Sequence, residues 1–285
     1  MPQEQSIKEI LAQNGFKFTK SLGQNFLYDK KILEKIIQDA KLEKGDCVLE
    51  IGPGAGTLTR LMAAKGANVT AVEIDRALEP VLKQTLSGCA GAEIIYADFL
   101  KLDILSLYNE RLKPGFKVVA NIPYYITTPI IMRLLESGLP YKSVTVLVQR
   151  DVALRMAAQP GTSSYGALSC AVQYYTQPLL KSRIGPGSFY PPPKVESQVI
   201  TLEKRDKPPV QTADEELLFK VIKCAFAMRR KTFLNNLTSA FSLTRAQAEE
   251  LLISARLPID VRGEKLSLND MAKAADYIFK LAKGG

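Results

Sequence analysis

The sequence predicts an α/β fold: a mainly parallel sheet with helices on both faces, followed by a small all-α C-terminal domain. Two observations carry this. Between residues 47 and 148, short near-continuous apolar runs alternate with segments of helical periodicity, the pattern of strands buried on both faces. Beyond residue 209 the apolar spacing is helical throughout.

The elements follow in order. Residues 7–14 and 30–40 carry helical spacing, through Ile7, Ile10 and Leu11, then Ile32, Leu33, Ile36 and Ile37. A basic segment, Lys17 to Asn25, lies between them. Residues 47–51 predict a strand, 57–65 a helix, 68–73 a strand, 77–86 a helix, 93–97 and 116–120 strands, 128–137 a helix and 143–148 a strand. Residues 160–164, Pro-Gly-Thr-Ser-Ser, predict a loop, and 194–202 alternate as a last, antiparallel strand. Lys204 to Pro209 breaks the pattern and reads as a linker. Thr212-Ala213-Asp214-Glu215 and Thr244-Arg245-Ala246-Gln247 fit capping boxes, and Ser267 to Asp270 opens the final helix. The expected division is therefore 1–206 and 207–285.

Charge and composition narrow the function. Lys plus Arg is 38 against 29 Asp plus Glu, a net +9, which favours a polyanionic partner. The chain has no histidine. That excludes histidine general bases, Ser-His-Asp and Cys-His nucleophiles, and nearly all catalytic zinc sites. Cys47, Cys89, Cys170 and Cys224 are scattered without a C-x-x-C pair, so no metal is expected and the thiols read as reduced. Met1 to Ile7 is polar and lacks the apolar core of a signal peptide. A cytoplasmic protein is expected.

The run Val48 to Gly56 follows a strand and opens a helix with the spacing G-x-G-x-G, at Gly52, Gly54 and Gly56. Glycines let the backbone turn tightly and come close to a ligand. Glu73 ends the next strand, where it can accept hydrogen bonds from both hydroxyls of a ribose. Asp98 ends the third strand, within reach of a bound nucleoside's base. Strand ends converging at one edge of a parallel sheet form a ligand crevice. The arrangement resembles the class I (Rossmann-like) methyltransferases, whose cofactor, S-adenosylmethionine, has no pyrophosphate to cradle.

The fourth strand runs into Asn121-Ile122-Pro123-Tyr124. This is similar to the Asn/Asp-Pro-Pro-Tyr/Phe motif of methyltransferases acting on planar exocyclic amines, with Ile122 in place of the first proline. The residue types suit that chemistry. The lone pair of an adenine N6 is delocalised into the ring, so acceptors on its N–H groups localise it. The Asn121 side-chain oxygen and the Ile122 carbonyl can serve. Pro123 stiffens the turn, and Tyr124 offers a π-face. No strong base is needed, because the proton becomes acidic once the methyl is transferred.

Gly23 to Leu27, Glu50 to Gly56, Glu73 to Asp75, Ala97 to Phe99, Asn121 to Tyr124 and Phe189 to Ser197 occur in order. Together they resemble the small-subunit ribosomal RNA adenine dimethyltransferase family, from about residue 15 to the C-terminus. Arg229 to Leu237 is similar to that family's helical-domain signature and separates it from the related large-subunit enzymes of erythromycin resistance. The resemblance implies cofactor contacts at Asn25, Leu27, Gly52, Gly54, Glu73, Asp98 and Asn121. It implies that Phe189 stacks on the adenine face opposite Tyr124. The implied substrate is a pair of adjacent adenosines in the 3′-terminal hairpin loop of small-subunit rRNA, each dimethylated within an immature 30S-type particle by a monomeric enzyme.

Under this reading residues 1–206 bind S-adenosylmethionine and residues 207–285 bind RNA. Arg229, Arg230 and Lys231, with Lys220 and Lys223 on the first C-terminal helix and its end, and basic Lys204, Arg205 and Lys207 beside them, are the expected phosphate contacts; the plainer alternative is a solvated helix face. Two other functions remain open: a large-subunit adenine methyltransferase conferring antibiotic resistance, and a ribosome-assembly or nucleic-acid-binding factor without turnover.

Overall fold

The computed structural model of the protein describes residues 6–19 and 22–284. Lys20 and Ser21 of the expected basic segment, and Met1 to Gln5 of the expected polar N-terminus, lie outside them. The first helix, α1 (Ile7–Gln13), starts from a Ser6/Glu9 capping box and buries Ile7, Ile10 and Leu11 against Leu78, Val81 and Leu82. A two-residue strand, β1 (Phe26–Leu27), and helix α2 (Lys30–Asp39) follow.

Alternation then sets the architecture. The strands are β2 (Cys47–Ile51), β3 (Asn68–Glu73), β4 (Ala92–Tyr96), β5 (Lys117–Asn121) and β6 (Ser143–Gln149). They alternate with α3 (Thr57–Ala64), α4 (Glu79–Thr85), α5 (Ile104–Arg111) and α6 (Thr127–Glu136). These strands pair in parallel, and Val48, Leu49, Ala71, Val118 and Val119 are buried. The sequence missed α5. Its signal is the Asp103 cap, whose carboxylate accepts the N–H groups of Leu105 and Ser106 at 3.0 and 3.1 Å.

Helices α7 (Arg150–Met156) and α8 (Ala167–Tyr175) precede β7 (Thr176–Ile184), β8 (Phe189–Tyr190) and β9 (Ser197–Lys204). Among the described residues the main sheet has seven strands in the order β4-β3-β2-β5-β6-β9-β7. The last predicted strand forms as β9 and lies antiparallel to β6. It starts later than the alternation suggested, with Ser197 opposite Gln149. Strand β7 was not predicted, and it contains Pro178. It ends the strand order, and an edge is where a missing N–H is tolerated.

The chain divides into two compact units. One is Met1–Ala153 with Pro178–Lys204, the other Leu154–Gln177 with Arg205–Gly285. The segment Leu154–Gln177 thus joins the helical unit, which a cut at residue 206 does not anticipate. Its Tyr165, Cys170 and Tyr174 belong to the core built by Leu218, Phe233 and Leu251. Tyr165 donates its hydroxyl to the Leu266 carbonyl at 2.9 Å.

The helical unit adds α9 (Glu215–Ala227), α10 (Phe233–Phe241), α11 (Arg245–Ser254) and α12 (Leu268–Gly284). The Thr244/Gln247 capping box forms, and Ser267 and Asp270 cap each other at the start of α12. The box expected at Thr212 does not form. Asp214 caps α9 by accepting the Leu217 N–H at 2.9 Å, while Thr212 Oγ1 donates to Asp276 Oδ1 at 2.9 Å. Aspartate is the stronger cap there because its carboxylate reaches the N3 amide directly.

Candidate active site

The C-terminal ends of β2, β3, β4 and β5, together with residues 22–27, line one open cleft. The turn after β2 runs along its floor. Gly54 has φ +57°, and a Cβ there would stand 2.8 Å from the Phe26 ring. Only glycine lets this loop pass beneath Phe26.

Glu73 ends β3 and is 4% exposed. It accepts the Gly54 N–H at 3.1 Å and the Asp75 N–H at 2.8 Å. Burial raises its carboxyl above the ordinary range despite those two bonds. Asp98 lies in the turn after β4 and also lines the cleft. It accepts the Leu100 N–H at 3.0 Å, so it serves the turn as well as the cleft. Glu50, in the middle of the Val48–Gly52 run, is a third carboxyl in the lining. It is 1% exposed and accepts the Thr59 hydroxyl at 2.6 Å. Burial and the nearby Glu73 charge push it up to about 8. No lysine or arginine stands among the described lining residues.

Asn121 is the last residue of β5. Its Nδ2 donates to the Asn25 carbonyl at 3.0 Å, and Asn25 Nδ2 donates to the Gly23 carbonyl at 3.0 Å. Ile122 is buried, with its N–H on the Leu147 carbonyl at 3.2 Å. Pro123 leads into a 3-10 turn over Tyr124–Ile126. The Tyr124 hydroxyl lies 2.5 Å from Ser197 Oγ, and burial raises this phenol. Leu27 lines the cleft from β1, its carbonyl accepting the Thr57 hydroxyl at 2.8 Å.

All seven expected cofactor contacts and Asn121 to Tyr124 therefore meet in one cleft. Phe189 does not. It is 2% exposed, pairs with Leu27 across the β1–β8 ribbon and packs in the core with Ile184 and Val199. Sequence reasoning gave no role to Glu50, Ser197 or Tyr125. Glu50 and Ser197 lie within motifs already singled out and Tyr125 follows one.

Arg229, Arg230 and Lys231 lie in the exposed turn between α9 and α10 rather than around a helix. Arg229 Nη2 donates to the Ser163 carbonyl at 3.2 Å. Three basic residues expected to assist are engaged within the protein. Lys204 Nζ donates to the Leu139 carbonyl at 2.7 Å, and Arg205 Nε donates to the Gln173 and Thr176 carbonyls at 3.0 and 3.1 Å. Lys220 pairs with Glu216 at 2.8 Å.

A family model described as ribosomal RNA adenine dimethylase matches residues 15–280. The chain belongs to the ribosomal RNA adenine dimethylase family. It is 47% identical to ribosomal RNA small subunit methyltransferase A of Alkaliphilus oremlandii (strain OhILAs) over 276 residues, covering 96% of each chain. It is 45% identical to the protein of that name from Clostridioides difficile (strain 630), covering 95% of this chain and 94% of that one. Among solved structures, a dimethyladenosine transferase from Plasmodium falciparum shares the fold at TM-score 0.71 and 24% identity, covering 90% of this chain and 98% of that one. The 23S rRNA methyltransferase ErmE matches at TM-score 0.69 and 26% identity, covering 90% and 100%. Both fit the architecture of a class I methyltransferase in this family.

Proposed function

We propose that this member of the family is an S-adenosylmethionine-dependent rRNA (adenine-N6,N6)-dimethyltransferase. Its substrate is a pair of adjacent adenosines in the 3′-terminal hairpin loop of small-subunit rRNA. It acts on an immature 30S-type particle, in the cytoplasm and as a monomer. The observation that carries the reading is Asn121 to Tyr124 at the end of β5, opening onto the cleft lined by Glu50, Glu73 and Asp98.

The cofactor fits that lining. A cleft with three carboxyls and no basic side chain among its described residues disfavours a pyrophosphate. It favours a cationic nucleoside with a ribose diol. Glu73 can take the ribose hydroxyls, Asp98 the base, and Gly52 and Gly54 the close approach of the remaining chain. S-adenosylmethionine supplies an electrophilic methyl on its sulfonium when bound.

The chain's own groups do the rest. With its NH2 on Asn25, Asn121 turns its side-chain oxygen toward the reacting amine. The Ile122 carbonyl is the second acceptor. Tyr124, held by Ser197, keeps the base flat. A loop adenosine is easier to extrude into such a site than a paired one.

The small-subunit assignment rests on relatives 43–47% identical over nearly the whole chain. The large-subunit enzyme ErmE is 26% identical, and that reading is set aside. Methyl transfer to immature small subunits, assayed beside naked large-subunit RNA, tests the choice. Transfer only to the latter would reverse it. The exposed Arg229-Arg230-Lys231 turn supports phosphate contact. Replacing all three with Gln is expected to flatten the salt dependence of RNA binding by a log–log slope of roughly 0.7–0.9 per lost contact. Equal slopes would remove the turn from the interface.

A further inference from the structure

We infer that Tyr125 is the binding platform for the nucleobase next to the one being methylated. The inference rests on the reading above, in which two adjacent adenosines are modified in turn.

Tyr125 lines the cleft yet is 55% exposed, whereas Phe26 and Phe99, the phenylalanines of the same lining, are 6% and 5% exposed. One edge of its ring runs beside Gly23: a Cβ at that glycine would stand 3.3 Å from Tyr125 Cδ1. Partial burial raises its phenol, and the charges of Asp98 and Glu73 add to that rise. An exposed aromatic ring at a binding cleft is the arrangement that stacks a base in single-stranded RNA.

Which base it takes follows from the turn. Tyr124 and Tyr125 are consecutive residues of a 3-10 turn. With three residues per turn, their side chains leave the backbone about 120° apart. Tyr124 goes inward, to Ser197, and Tyr125 outward. One planar base cannot lie on both rings. If Tyr124 holds the target adenine, Tyr125 meets its neighbour, one nucleotide along the strand. The same pair of rings then serves both methylation events, with the two adenines exchanging places.

The test uses the full chain and small subunits reconstituted from transcribed rRNA, with the second adenosine retained or replaced by uridine, a weaker stacker. Tyr125→Ala is expected to raise KM for the particle between roughly fivefold and a hundredfold, while KM for S-adenosylmethionine stays unchanged. Tyr125→Phe should restore wild-type values. The uridine replacement should weaken wild type in a similar way and Tyr125→Ala little further. The inference is overturned if Tyr125→Ala raises KM for S-adenosylmethionine as much as for the particle, since the ring would then only close the 22–27 segment over the cofactor. It is also overturned if the protein and RNA changes are fully additive. Failure of the wild-type enzyme to methylate any of these particles would instead overturn the functional reading beneath it.

Discussion

Glu73 takes its hydrogen bonds from residues nineteen and two positions away, and Asp98 from one two positions away. Asn121 bonds to a residue 96 positions away, and Tyr124 to one 73 positions away. Glu73 and Asp98, the acidic part of the cofactor side, are thus held by strand-end turns, while Asn25 and Leu27 reach that side from the segment around β1. The substrate side needs β1, β6 and β9 to arrive first. Changes on the cofactor side should therefore be read mainly in cofactor affinity. Those on the substrate side should be read in the rate of transfer, including changes at remote residues such as Ser197.

The largest effect is expected on the substrate side. Asn121→Ala removes an acceptor fixed in place before reaction, a loss of roughly 10²–10³ in rate. Single-turnover transfer should show it, with the fold retained by circular dichroism. A rate within tenfold of wild type would dissolve the contrast between the two sides. On the cofactor side, Glu73→Ala is expected to weaken S-adenosylmethionine binding by roughly 2–4 kcal/mol, for two charge-assisted hydrogen bonds. Unchanged affinity by calorimetry in the folded variant would remove Glu73 from the cofactor's ribose.

Glu50 sharpens the comparison through pH. The folded protein holds its proton up to about pH 8, whereas an ordinary glutamate releases it near 4.5. Between those values only the unfolded chain has released the proton, so stability falls as pH rises through that window, by at most about 1.4 kcal/mol per pH unit. Below the window the contribution is fully present. Glu50→Gln is expected to flatten the decline in urea midpoints between pH 5 and 8. The raised Glu73 acts in the same direction and leaves a residual slope. Curves parallel to wild type would mean that Glu50 stays ionised in the fold.

The smallest effect tests reach. Ser197→Ala deletes the 2.5 Å partner of Tyr124, a bond worth about 1 kcal/mol. Transfer should slow several-fold with S-adenosylmethionine affinity unchanged. A fall in affinity of the same size would mean that β9 supports the cofactor side too.

The sequence by itself determined the order of strands and helices from Cys47 to Gln149 apart from α5, the glycine turn, and the strand-end positions of Glu73 and Asn121. Apolar periodicity, caps and glycine conformation act over a few residues, and each is written where it operates. Only the tertiary structure decided that Pro178 sits in an edge strand, that Leu154–Gln177 joins the helical unit, and that Lys204 and Arg205 bond to carbonyls within the protein. It also decided that Phe189 is enclosed while Tyr125 is open. An aromatic or basic side chain has the same local signature in either role. What it touches is set by partners tens of residues away, and the chain places those only when the sheet closes.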